Sequence, residues 1–245
     1  MTFDFSAVAK QYITYRPTYP PELAAELAAR CEHRELAWEV GCGSGQLTAS
    51  LAPCFARVVA TDPSQAQLDA AARIGNVEFR RATAEASGLA DRSADLIVAA
   101  QAAHWFDWPA FVAETTRVAK PGAVAAVISY GIVEVDGAPA LARYYHETLA
   151  GYWPPERRHV ENGYRELRWP WPELEPPTLA MRAQWTRDEL VGYATTWSAT
   201  SRLVAQRGQA VFDAFRAELA RDWTGDDRRE IRWPLTIRAA RVAQK

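Results

Sequence analysis

The stretch Leu36–Gln46, LAWEVGCGSGQ, constrains the fold of this chain more than any other. Leu36–Val40 is a short, nearly unbroken apolar run of the kind buried on both faces of a sheet. It carries one acid, Glu39, and leads straight into glycines at alternating positions: Gly41, Gly43 and Gly45. Glycine costs backbone entropy, so three so close together mark a place where the chain turns sharply or lies against something. The segment Ser44–Ala52 that follows reads as a helix stopped by Pro53. Strand, glycine turn and helix form the first step of a βα winding.

The same alternation continues. Arg57–Asp62 (RVVATD) reads as a strand, Pro63–Arg73 as a helix and Val77–Ala82 as a strand. Ala94–Ala100 (ADLIVAA) is a further strand, Trp108–Val118 a helix closed by Lys120-Pro121-Gly122, and Ala123–Tyr130 another strand. A helix over Pro20–Cys31 precedes them all. Continuous apolar strands separated by helices predict a doubly wound α/β fold with a mostly parallel sheet, whose ligands sit beyond the carboxyl ends of the strands.

The second half changes character. Between Gly151 and Pro177 stand six prolines, with Trp153, Trp169 and Trp171 among them, which excludes regular sheet there. Thr178–Trp185 alternates like a strand. Thr186–Ser198 reads as a helix opened by a capping box of Thr186 and Glu189. Another helix is expected over Ala210–Trp223, and a last strand over Ile231–Val242.

Composition narrows the function. With 245 residues, 49% hydrophobic, the chain can bury a substantial core, and a net charge of -2 argues against a general nucleic-acid or membrane-surface binder. The cysteines Cys31, Cys42 and Cys54 form neither a metal-ligand pattern nor an even disulfide set, which fits a reducing compartment. The opening MTFDFSAVAKQY lacks the apolar stretch and cleavage site of a signal peptide, and no apolar run reaches the roughly 20 residues needed to span a bilayer. A cytoplasmic location is expected.

Two ligand classes use a glycine corner of this kind. Dinucleotides place a pyrophosphate on it, usually with a third glycine spaced more widely. S-adenosylmethionine instead lays its amino-acid tail and ribose over the turn. Here the glycines alternate strictly, and Gln46 and Leu47 stand where a dinucleotide fingerprint would put its last glycine. Asp62, about 20 residues on at the end of the second strand, suits the ribose hydroxyls of either ligand.

Taken together, EVGCGSG, VVATDPS, ATAEASGL, ADLIVAAQAAHWF and RVAKPGA, in this order across residues 36–130, resemble the class I S-adenosylmethionine-dependent methyltransferases with a type 11 domain. The stretches YITYRPTYP, AAHWFDW and GYATTWSATS are similar to the subgroup around trans-aconitate methyltransferase. The resemblance implies a Rossmann-like sheet of seven strands with a helical and irregular insertion after the fifth. It also implies a single domain over 1–245: a lid and first helix (1–35), a cofactor core (36–130), a substrate-side insertion (131–177) and closing elements (178–245). The cofactor would be S-adenosylmethionine and no metal is called for. The acceptor would be a small molecule, such as the carboxylate of an organic acid, with no nucleic acid or membrane partner and a monomer or homodimer as the assembly.

By the same resemblance, Gly41, Cys42, Gly43 and Gly45 face the methionine part of the cofactor, and Asp62 with Pro63 the ribose. Ala84 and Glu85 lie near the adenine. Glu39 accepts from the cofactor's ammonium group or pairs with loop amides. Tyr12 and Arg16 belong to a lid, with Arg16 on the methionine carboxylate or tying the lid down. Gln101 supports the methionine tail. His104 is the candidate general base and, with Trp105, Tyr144, Tyr145 and Trp153, lines the acceptor side. Trp108, opening a helix, is expected in the core. An oxidoreductase using NAD and a cofactor-binding protein without turnover are the competing readings. A nucleic-acid methyltransferase would carry an Asn-Pro-Pro-Tyr or Asp-Pro-Pro-Tyr run after the fourth strand, where this chain has AAQAAHWF.

Overall fold

A computed structural model describes residues 18–243. In chain order its principal elements are α1 (Pro21–Ala29), β1 (Leu36–Val40), α2 (Thr48–Leu51), β2 (Arg57–Asp62), α3 (Gln65–Asp69), β3 (Val77–Arg81), β4 (Ala94–Ala100), α4 (Trp108–Val118) and β5 (Ala119–Tyr130). There follow β6 (Glu134–Val135), α5 (Pro139–Arg143), a π-helical turn Tyr144–Thr148, α6 (Arg157–Glu161), β7 (Glu173–Leu174) and β8 (Ala180–Trp185). The last are α7 (Arg187–Thr195), α8 (Ser198–Arg207), α9 (Ala210–Asp222) and β9 (Arg229–Arg241). The described chain divides into two compact units. One holds Thr18–Gly131, Arg158–Met181 and the residues from Pro234 onward, and the other holds Ile132–Arg157 and Arg182–Trp233.

The first unit contains the predicted α/β winding. Its strands run in the order β3-β2-β1-β4-β5-β9. The pairings from β3 to β5 are parallel, whereas residues 235–241 of β9 lie antiparallel to β5, from Tyr130↔Leu235 to Val124↔Arg241. β1 is buried along its whole length. By the two-residue period of a strand, Trp38 and Val40 face one side of the sheet and Glu39 the other. Trp38 packs against Phe111 of α4 and donates its indole N–H to Thr61 Oγ1 at 2.9 Å. α4 starts where the Asp107 side chain accepts from Ala110 N, with Pro109 in the first turn. Trp108, expected in the core, is half-buried and packs against it through Phe111 and Trp169.

The second unit is built on aromatic side chains. Tyr144 stacks on Phe215 with ring centres 4.0 Å apart, and Tyr193 meets Trp185, Trp197 and Trp233. The capping box of α7 forms as expected, with Glu189 N donating to Thr186 Oγ1 and Thr186 N to Glu189 Oε2.

Several boundaries need correction. The sheet has nine strands among the described residues rather than seven. All seven expected strands are present, and the additions, β6 and β7, are two residues each, too short to leave an alternation in the sequence. The helix expected over Ser44–Ala52 shrinks to Thr48–Leu51, because Gly43 and Gly45 take left-handed φ angles of 56° and 88°. That over Pro63–Arg73 shrinks to Gln65–Asp69. The helix expected over Thr186–Ser198 ends at Thr195, and α8 follows it without having been expected.

Candidate active site

The glycine turn lies at the carboxyl end of β1, next to the ends of β2 and β4. Gly41 has a φ of 65°, and a β-carbon added to it would lie 2.5 Å from Cβ of Ala102, just past β4. Its missing side chain is therefore explained by close packing within the sheet unit. Gly43 is different: a β-carbon there would meet nothing nearer than 3.6 Å. Its backbone N–H donates to Asp62 Oδ2 at 2.9 Å, and Ser64 N donates to Asp62 Oδ1 at 2.8 Å. Asp62 thus ties the glycine turn to the end of β2, and each of its oxygens keeps a further lone pair. Burial raises its carboxyl above the usual aspartate range, opposed by those two backbone donors. Pro63 is exposed, and its carbonyl accepts from Arg81 Nε.

Glu39 is 2% exposed, and its Oε2 accepts from the hydroxyl of Thr48 on α2. Burial pushes its carboxyl up to about 8, against the lowering effect of the Thr48 hydroxyl. No ion pair to Glu39 is found among the described residues. Cys42 is buried beside it, and burial drives its thiol far above the ordinary range. Ala84 is buried, and Glu85 Oε1 accepts from Asp107 N at 3.0 Å. Gln101 ends β4 with a left-handed φ of 56°, uncommon for a residue with a side chain. Its N–H donates to Ile128 O and its Nε2 to Tyr130 O. Glu39, Gly41–Gly45, Asp62 and Gln101 all lie in or just after β1, β2 and β4, at one edge of a parallel sheet.

A family model for a methyltransferase domain matches residues 38–127. A provisionally assigned methyltransferase of Dictyostelium discoideum is 31% identical over 229 residues, covering 91% of this chain and 87% of the relative. The chain belongs to the class I S-adenosylmethionine-dependent methyltransferases. A solved structure from Anaeromyxobacter dehalogenans, provisionally assigned as a type II methyltransferase, is 42% identical, with a TM-score of 0.90 over 94% of this chain and 100% of that one. The YcgJ protein of Bacillus subtilis, 13% identical with a TM-score of 0.54 over 91% of this chain and 99% of its own, shares the fold alone.

In this methyltransferase the remaining expected residues are distributed as follows. His104 and Trp105 lie just past β4, with ring centres 4.7 Å apart, and Trp105 is 57% exposed. His104 Nδ1 is 3.0 Å from the hydroxyl of Tyr164, and the two rings stack at 17°. Tyr164, with a left-handed φ of 58°, is held in place by Arg238, which donates to the carbonyls of Tyr164 and Leu167. No sequence signal identified Tyr164, because its contact with His104 spans 60 positions without a shared motif. Thr48 and Ala102 were missed as well. Tyr144, Tyr145 and Trp153 belong to the second unit. Tyr144 is buried there, hydrogen-bonded to Thr200, and Tyr145 accepts from Arg157 Nε and Nη2 while packing on Trp153. Tyr12 and Arg16 lie outside the described residues. Among those residues no cluster of three metal-ligating side chains occurs, and no helix is long and apolar enough to cross a membrane.

Proposed function

We propose that this methyltransferase binds S-adenosylmethionine on the glycine turn and transfers its methyl group to a small-molecule acceptor, with the carboxylate of an organic acid as the first class to screen. The observation that carries the cofactor assignment is the Asp62 carboxylate, fastened by Gly43 N and Ser64 N at the ends of adjacent parallel strands with lone pairs to spare for two ribose hydroxyls. The residues also fit the charge of that ligand. Glu39 is a buried carboxylate with no cationic side chain paired to it among the described residues, and a ligand ammonium would supply the missing charge.

Bound S-adenosylmethionine supplies an electrophilic methyl group on a sulfonium. The chain supplies position and surroundings. Gly41–Gly45 and Cys42 underlie the methionine part, with Gln101 beside its tail, while Asp62 and Pro63 serve the ribose and Ala84 and Glu85 the adenine. Aromatic faces at Trp105 and His104 favour a cationic sulfonium nearby. With a carboxylate acceptor no proton is removed, and His104 orients the acceptor rather than deprotonating it. Holding acceptor and methyl group in line then provides most of the acceleration. Tyr12, Arg16, Tyr145 and Trp153 remain in this reading on the family resemblance alone, and the buried Tyr144 is better explained as core.

The test is calorimetric titration with S-adenosylhomocysteine, with NADH as the control. Saturable binding of the thioether, weakened at least tenfold in Asp62→Ala, is the expected result. Binding of NADH without binding of the thioether overturns the reading. Incubation with S-adenosylmethionine carrying a labelled methyl group and a panel of carboxylic acids then reads the acceptor class. Label that never leaves the cofactor favours a binding protein without turnover.

A further inference from the structure

We propose that Thr48 is a positioning residue for the cofactor: its hydroxyl holds the Glu39 carboxylate in the orientation that receives the ligand's ammonium group. The inference rests on the cofactor reading above and adds a residue to it.

Glu39 is the penultimate residue of β1, in register with Ala60 of β2 and Val98 of β4, where a sheet interior ordinarily carries apolar side chains. Two acids lie near it, Asp62 across the glycine turn and, as a weakly acidic thiol, Cys42, and neither offers it positive charge. An uncompensated carboxylate in such a place is costly and serves no packing purpose that alanine would not serve better. Thr48 is the side chain that hydrogen-bonds it among the described residues, engaging Oε2 and leaving Oε1 without a protein donor. Thr48 is fully buried as the first residue of α2, and its hydroxyl lies 3.4 Å from where a β-carbon on Gly45 would be. The hydroxyl therefore links three parts of the site: the acid on β1, the last glycine of the turn and the helix that follows. Valine has nearly the same shape, so packing alone does not call for an oxygen here. A single donated hydrogen bond fixes the carboxyl rotamer and favours its ionised form.

Two ligands separate positioning from general support of the turn: S-adenosylhomocysteine and its analogue lacking the α-amino group. In Thr48→Val the affinity for S-adenosylhomocysteine is expected to fall at least tenfold, whereas affinity for the analogue stays within about twofold of the parent protein. Thr48→Ser, which restores the hydroxyl, is expected to recover the loss. Adding Thr48→Val to Glu39→Gln is expected to cost little further, since the two residues act through one interaction. Should Thr48→Val fail to fold, Thr48→Ala, which removes volume instead of placing a methyl against the carboxylate, gives the same comparison. Equal losses for both ligands, no loss for either, or full additivity with Glu39→Gln overturn the inference while leaving the cofactor reading intact. Failure of the parent protein to bind S-adenosylhomocysteine overturns both.

Discussion

Gly41→Ala is expected to lower the melting temperature by roughly 10 °C, and Gly43→Ala, two residues away, by only about 3 °C. Both glycines are left-handed, with φ of 65° and 56°, so either alanine adopts a backbone conformation costing about 1–2 kcal/mol. Only at Gly41 is the space also taken, with Cβ of Ala102 2.5 Å from the new β-carbon. Overpacking against a buried neighbour adds about 1–3 kcal/mol, because strands β1 and β4 are held in register and cannot move apart locally. The double variant Gly41→Ala/Ala102→Gly separates the two contributions, as it removes the collision and retains the strained φ. Calorimetric melting should return it to about the stability of Gly43→Ala. If the two single variants melt together, packing against Ala102 is not what excludes a side chain from the first glycine.

A second large effect is expected on the pH dependence of stability. Burial pushes the Glu39 carboxyl from the ordinary 4.5 to about 8, so between those values the folded chain keeps a proton that the unfolded chain releases. The resulting stability is complete at pH below about 4.5 and is lost as pH climbs through about 8. The slope for a single such proton is up to about 1.4 kcal/mol per pH unit. The ligand-free protein should thus become less stable between pH 5 and pH 8, and Glu39→Gln should flatten that interval. Asp62 is displaced upward by burial as well and is unaltered by the substitution, so the difference between the two proteins isolates Glu39. Denaturant titrations at several pH values provide the measurement. Parallel curves for the two proteins would show that Glu39 ionises normally in the fold. Ligand binding should display the opposite trend: S-adenosylhomocysteine should bind more tightly as pH rises from about 6 to 7.5, because its ammonium needs the ionised acid, and this trend too should vanish in Glu39→Gln.

The sheet unit was legible in the sequence because buried parallel strands appear as unbroken apolar runs. Val58–Ala60 within Arg57–Asp62 and Leu96–Ala100 within Ala94–Ala100 carry that signature, and the helix Trp108–Val118 was legible between two of these runs. The placement of the glycine turn and Asp62 at the ends of successive strands was legible as well, since their spacing is set by one strand–helix–strand step, whereas the hydrogen bond from Gly43 N to Asp62 was not. α8 was not, because the residues it buries, Ala199, Thr200 and Leu203, are mostly small or polar and leave no apolar stripe. The packing reason for Gly41 was not visible, because the neighbour that a β-carbon there would strike is Ala102, just past β4 and some sixty positions away in the sequence. Thr48 and Tyr164 had no visible signal, since their significance lies in contacts 9 and 60 positions away that no periodicity encodes.

The placement of β9 has a consequence for biosynthesis. β5 is twelve residues long, and its last eight are buried. Its outer neighbour is supplied by residues 235–241, roughly a hundred positions later in the chain. On a ribosome, β1–β5 emerge and can pair while that neighbour is still unmade. The nascent chain then displays a long, apolar, unsatisfied strand edge, the kind of surface that recruits other chains. At a synthesis rate of about 5–20 residues per second this interval lasts on the order of ten seconds. Solubility during synthesis therefore depends on how this edge is shielded, and variants that slow translation across the second half should aggregate more than equally stable variants that do not.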